Sequence, residues 1–117
     1  MRATEPTRSG LLHLHGFQVA YEAFGDPTRP ALLLLPPWQI VHSQIWKMQV
    51  AYLFHSFHVV TFDAPGNGRS QRTTDPAAYE YQRVARQGMG VLDHLGIERA
   101  SLLGFSRSCA YCIWLAA

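Results

Sequence analysis

Apolar and polar residues alternate from Leu11 to His15 and again from Phe17 to Phe24, with Gly16 between the two stretches. A period of two belongs to strands with one buried face. The pattern therefore predicts an antiparallel hairpin, ended by the turn residues Gly25-Asp26-Pro27. Ala31 to Leu35 is continuously apolar, as expected of a strand buried on both faces, and Pro36-Pro37 stops it because proline cannot donate to a ladder. Trp46, Val50 and Leu53 recur at helical spacing, which predicts a helix capped by Ser43 and running to Phe54. His58 to Phe62 is another short β-branched and aromatic strand, and Asp63 to Gly68 follows it as a loop. Asp75-Pro76 is a helix start, with Asp as cap and Pro in the first turn. That helix should run to Leu95, with Tyr81, Val84, Gly88, Val91, Leu92 and Leu95 on one side and Gly96 terminating it. Ala100 to Phe105 reads as a third buried strand, and Arg107 to Ala117 begins a last helix.

The order is β-β-β-α-β-α-β-α. It predicts an α/β fold: a mostly parallel sheet with an N-terminal antiparallel hairpin and flanking helices. In such sheets ligands meet the carboxyl ends of the strands. Three loops arrive there: Pro36 to His42, Asp63 to Arg72, and the turn at Ser106.

Composition narrows the function classes. The 117 residues suffice for one small domain, and 48% hydrophobic against 15% charged residues excludes a disordered chain. The net charge of +2 comes from scattered residues, which argues against nucleic acid or an anionic membrane as partner. Ala31 to Leu35 is the longest apolar run, far short of the roughly 20 residues of a membrane span. Met1 to Gly10 lacks the apolar core of a secretory signal, so a cytoplasmic location is expected.

The chemistry concentrates in Leu102-Leu103-Gly104-Phe105-Ser106-Arg107-Ser108, where a strand runs straight into a helix with a serine at the junction. A serine on so sharp a turn presents its hydroxyl clear of the backbone. It also lies at a helix N-terminus, where free N–H groups favour developing negative charge. Small residues are needed two before and two after it, where strand and helix pass closely, and Gly104 and Ser108 meet that need. A serine that merely caps the helix would leave the same local trace.

These residues resemble the nucleophile elbow of the α/β-hydrolase family, G-x-S-x-G, with Ser108 in place of the second glycine. Further matches follow the family's order. Pro36-Pro37-Trp38 occupies the start of the oxyanion loop, where His-Gly is usual. Ser43 and Trp46 match a Ser-x-x-Trp pair. Asp63-Ala64-Pro65-Gly66-Asn67-Gly68-Arg69-Ser70 matches the D-x-x-G-x-G-x-S loop, and Leu95-Gly96-Ile97 matches the approach to the last strand. The resemblance spans Leu11 to Ala117 and implies that residues 1–117 are the N-terminal part of a single α/β-hydrolase domain. It implies Ser106 as nucleophile, and Trp38 and Arg107 as backbone N–H donors to an oxyanion, since neither proline has an N–H. It implies a small ester or related acyl substrate, hydrolysed without metal or organic cofactor. The alternative is a non-catalytic ligand-binding or regulatory module on the same fold.

In this family the acid and the histidine follow the serine. Arg107 to Ala117 contains no His, Asp or Glu, and His13, His15, His42, His55, His58 and His94 all precede Ser106. Residues 1–117 alone are therefore expected to be an incomplete and inactive portion, completed by a C-terminal segment of the same domain. Without such a segment, Ala100 to Phe105 would be an open sheet edge prone to aggregation. The remaining candidates have plainer readings. His42 could approach the site but reads as a surface or substrate-facing residue. Asp63 reads as a brace for its glycine loop. Cys109-x-x-Cys112 reads as two small buried residues of an apolar helix rather than a redox or metal pair. His13 with His15, and His55 with His58, lack a third ligand for a metal. Gly66-x-Gly68 has Gln71 where a dinucleotide fingerprint needs its third glycine.

Overall fold

A computed structural model describes residues 3–38 and 40–117. The elements follow the predicted order: β1 (Arg8–Leu14), β2 (Phe17–Phe24), β3 (Ala31–Leu34), a 3₁₀ turn (Ser43–Trp46) running into α1 (Lys47–Leu53), β4 (His58–Phe62), a second 3₁₀ turn (Pro76–Tyr79), α2 (Tyr81–His94), β5 (Ala100–Leu103) and α3 (Ser108–Ala116). One sheet results, in the order β1-β2-β4-β3-β5. β4, β3 and β5 run parallel, and the β1-β2 hairpin joins β4 antiparallel. This is the α/β architecture that the alternation of elements predicts, and it fits a partial α/β-hydrolase fold.

The hairpin turns through His15 and Gly16, with φ +51° and +85°. Positive φ at both central residues matches the twist of the flanking strands. β1 begins at Arg8 rather than Leu11, because Arg8, Ser9 and Gly10 already pair with Ala23, Glu22 and Tyr21. Such an edge segment gains its ladder bonds without an apolar face, so alternation does not mark it.

Buried residues fall on both sides of the sheet. Leu33 and Leu35 join Val19, Tyr21, Val60 and Phe62 against Val84, Ala85 and Val91 of α2 and Tyr111 of α3. Leu32 and Leu34 join Phe24 and Val59 against Trp46 and Val50. Neighbouring leucines of one strand thus enter different cores, which is why the run is unbroken by polar residues. β5 pairs with β3 alone among the described residues. No described helix is long and apolar enough to cross a membrane.

The first two of the three predicted helices each open with a separate 3₁₀ turn. The N-cap of the first 3₁₀ turn is His42 rather than Ser43, with Nδ1 accepting the Gln44 N–H at 3.2 Å. Ser43 is drawn inward because its own N–H bonds Asp63 Oδ1 at 2.7 Å. Asp75 caps the second start as predicted, accepting the Ala77 N–H. Glu80 is nevertheless extended, with ψ 145°, and α2 begins only after it. The hydroxyl of Tyr79 bonds the Thr73 carbonyl at 2.8 Å, which ties this turn back toward its own loop. At the far end, Gly96 and Ile97 donate to the carbonyls of Asp93 and Leu92, closing the helix where the sequence places its end.

Candidate active site

β5 ends at Leu103 and α3 begins at Ser108, so residues 104–107 make the whole strand-to-helix turn. Ser106 stands exposed at its apex with φ +58°. A serine in the left-handed region costs about 1–3 kcal/mol and persists only where its surroundings enforce it. Here they do. Ser108 Oγ accepts the Phe105 N–H at 2.8 Å and donates to the Phe105 carbonyl at 2.9 Å. The Ser108 N–H reaches that carbonyl at 3.3 Å, and the Cys109 N–H donates to the Ser106 carbonyl at 3.1 Å. Ser108 is completely buried. The residue read from sequence only as small is therefore a hydrogen-bonded brace of the turn. Its signal was a hydroxyl three residues after Phe105, within reach of that residue's backbone.

Gly104 supplies the close approach that the sequence argument requires. A Cβ there would lie 2.6 Å from the Ser108 carbonyl oxygen and 2.8 Å from Cys112 Sγ. The strand can pass the helix only without a side chain at this position.

Arg107 joins the elbow to two other segments. Its N–H donates to the Pro37 carbonyl at 3.2 Å, which brings the Pro36 to Trp38 segment against the turn. Trp38 itself is 49% exposed. The Arg107 guanidinium lies 4.2 Å from the Tyr81 ring centroid, and its Nε donates to Tyr111 Oη at 3.1 Å. This clamp between α2 and α3 was not anticipated from sequence. Tyr81, expected on the buried side of α2, is instead partly exposed beneath Arg107. Burial pushes the Tyr111 phenol up, and the adjacent guanidinium partly opposes that shift.

The other two loops are fixed around Asp63. Its carboxylate is buried; Oδ1 accepts from Ser43 N–H and Oδ2 from Arg69 N–H at 3.1 Å. Gly68, with φ +52°, packs so closely that a Cβ would strike this carboxylate. Ser70 Oγ donates to the Asp63 carbonyl at 2.6 Å and accepts the Ala20 N–H at 2.9 Å. Asp63 is thus the brace of its glycine loop. Trp46 Nε1 donates to the Leu35 carbonyl at 3.2 Å, holding the helix entry beside the end of β3. The Ser43-x-x-Trp46 pair therefore clips two strand ends together.

The remaining candidates stand apart from the elbow. His55 and His58 lie at the opposite end of the parallel strands from Ser106. Burial pushes the His58 imidazole down, while Asp26 opposes the shift. Cys112 is half-buried and Cys109 is exposed, which corrects the expectation that both are buried. Of α3, only Ser108 and Tyr111 are buried; α2 is the helix packed most closely beside it. Among the described residues no group of three or more His, Cys, Asp or Glu is arranged to hold a metal ion.

Known proteins are similar to this chain in sequence and in fold. Residues 30–117 match the family model of the alpha/beta hydrolase fold. The chain is 30% identical over 96 residues to 3-oxoadipate enol-lactonase 2 of Acinetobacter baylyi, covering 82% of this chain and 35% of that protein. It is also 30% identical over 98 residues to 1H-3-hydroxy-4-oxoquinoline 2,4-dioxygenase of Pseudomonas putida, covering 84% of this chain and 36% of that protein. The crystal structure of a hydrolase from Pseudomonas aeruginosa superposes with a TM-score of 0.83 at 29% identity, over 94% of this chain and 41% of that one. The chain spans only about a third of the length of the two curated relatives. With its sheet order, its strained serine and this family match together, the chain belongs to the alpha/beta hydrolase fold family.

Proposed function

We propose that this chain contributes the nucleophilic half of a serine hydrolase that cleaves a small ester or related acyl compound. The observation that carries the reading is Ser106: an exposed hydroxyl, held at φ +58° between a strand and a helix by bonds that leave its side chain clear. Strain maintained at such a junction has no packing role of its own, since Ser106 is exposed and belongs to neither core.

In the proposed reaction Ser106 Oγ attacks the acyl carbon, and a histidine takes its proton. The carbonyl oxygen becomes an oxyanion, stabilised by the N–H groups of Trp38 and Arg107 and by the N-terminus of α3. Each such donor is typically worth about 2.7–4 kcal/mol of transition-state stabilisation. Collapse expels the leaving group with the proton from the histidine, and water then releases the acyl group by the same steps reversed. The histidine and its carboxylate are taken to come from sequence following Ala117, since the family order places both after the nucleophile. The substrate is a small molecule; neither nucleic acid nor a membrane is invoked, and the setting proposed is the cytoplasm.

A second reading, a non-catalytic ligand-binding module, draws on one observation. The Arg107 N–H is already bonded to the Pro37 carbonyl. The dioxygenase relative also shows that this family houses more than one chemistry. A p-nitrophenyl alkylphosphonate separates the readings. In the full-length protein it should label Ser106, release p-nitrophenolate, and fail on Ser106→Ala. A folded full-length protein that stays unlabelled would overturn the hydrolase reading in favour of the module.

A further inference from the structure

We infer that the Pro37–Trp38 peptide is a two-position element that closes the oxyanion site at rest and opens it by turning over; this rests on Ser106 being the nucleophile. The Pro37 carbonyl accepts the Arg107 N–H at 3.2 Å, and the described backbone contains no cis peptide. In a trans peptide the C=O and the N–H point in opposite directions. The carbonyl that occupies the Arg107 donor therefore turns the Trp38 N–H away from the same spot. One orientation of one peptide plane silences both proposed donors together.

The same geometry says how the site opens. Rotation of this single plane by about 180° removes the carbonyl from Arg107 and presents the Trp38 N–H in its place. The movement needs only ψ of Pro37 and φ of Trp38. The pyrrolidine ring locks φ of Pro37 and leaves its ψ free. Upstream, Pro36 and Pro37 are buried and Leu35 is laddered to Leu103 through its N–H at 3.0 Å, so the turn-over is confined to the one peptide. Downstream, the Trp38 side chain is 49% exposed and can follow without leaving a core.

Charge decides which orientation wins. At 3.2 Å the Arg107–Pro37 bond is at the long end of the range for an N–H···O bond. A neutral substrate carbonyl offers the Arg107 N–H nothing that the Pro37 carbonyl does not. An oxyanion accepts more strongly and takes two donors at once. The open orientation is therefore favoured by the tetrahedral state rather than by the bound substrate, which is the differential binding that accelerates a reaction. The closed fraction at rest lowers the apparent rate in proportion.

The test uses the full-length protein, with crystal structures before and after reaction with a p-nitrophenyl alkylphosphonate. Ser106 Oγ forms the bond to phosphorus, p-nitrophenolate leaves, and the phosphonyl oxygen stands in for the oxyanion. The resting protein should show the Arg107–Pro37 bond. The adduct should show it broken, with Trp38 and Arg107 both donating to the phosphonyl oxygen and both amide protons shifted downfield in the NMR spectrum. A resting site already open, or an adduct on Ser106 with the Arg107–Pro37 bond intact, overturns the inference and leaves the nucleophile standing. A folded protein that forms no adduct overturns the nucleophile reading, and the inference with it.

Discussion

Replacing Gly104 by alanine tests whether the strand-to-helix approach at the elbow is as close as described. The new Cβ would sit 2.6 Å from the Ser108 carbonyl oxygen and 2.8 Å from the Ser108 carbonyl carbon. Ordinary contact lies near 3.5 Å, so α3 would have to retreat by about 0.8 Å. Neither atom is the end of a flexible side chain that could swing aside. Ser108 is completely buried, and its hydroxyl holds both polar groups of Phe105. Overpacking of this kind costs about 1–3 kcal/mol, and losing the two Phe105–Ser108 bonds adds about 1 kcal/mol each. We expect Gly104→Ala to lose about 3–5 kcal/mol of stability, read as a fall of about 1–2 M in the urea midpoint of the full-length protein. Ser106 labelling should slow with it. Gly90→Ala is the control, because its Cβ meets only Leu14 Cδ1 at 2.9 Å and Leu14 Cδ2 at 3.0 Å. That side chain can turn away, and alanine gains about 0.5–1 kcal/mol over glycine inside a helix. Gly90→Ala should therefore stay within about 1 kcal/mol of the parent. A Gly104→Ala protein as stable as the parent would refute the close approach; equal losses in both would refute the distinction between backbone and side-chain contact.

Other consequences can be measured on the same protein. Ser106→Gly should abolish phosphonate labelling yet raise stability by about 1 kcal/mol, since glycine relieves the left-handed strain; a loss of stability would mean that the serine side chain supports the turn. Thr61 Oγ1 is buried and has no hydrogen-bond partner among the described residues. Thr61→Val should therefore hold or gain up to about 1 kcal/mol in thermal or urea unfolding, and a loss beyond that would reveal a partner. His58 is buried, and burial holds its imidazole below the ordinary range. The unfolded chain takes up a proton near pH 6.5, where the folded one resists it, so this histidine costs nothing at higher pH and subtracts stability as pH falls below about 6.5. Unfolding at about pH 7.5 and about pH 5 should show a smaller difference in His58→Gln than in the parent, and an unchanged difference would refute the burial argument.

What the sequence discloses here is decided within a few neighbouring residues, and what it hides is decided by contacts between segments. Leu32 to Leu35 betrays a strand buried on both faces because successive side chains must point to opposite sides, and each side has its own core. The elbow is visible because Gly104, Ser106 and Ser108 owe their identities to one local turn. The break at Glu80 is a local exception: the Tyr79–Thr73 bond beside it spans only six residues, but it lies outside the helical periodicity of Tyr81 to Leu95, which does not encode it. The cap at His42 is not visible either, since it replaces Ser43 only because Asp63 claims the Ser43 N–H. The Arg107–Pro37 bond is the extreme case. It joins an N–H to a carbonyl, groups that nearly every residue carries, so no residue type announces it. Side-chain chemistry identified the residues around the proposed oxyanion site, but the orientation of a single peptide plane decides whether that site is open. A motif can therefore point to a candidate nucleophile while saying nothing about whether the proposed donors are free, and that question is answered only by backbone geometry such as the Arg107–Pro37 bond.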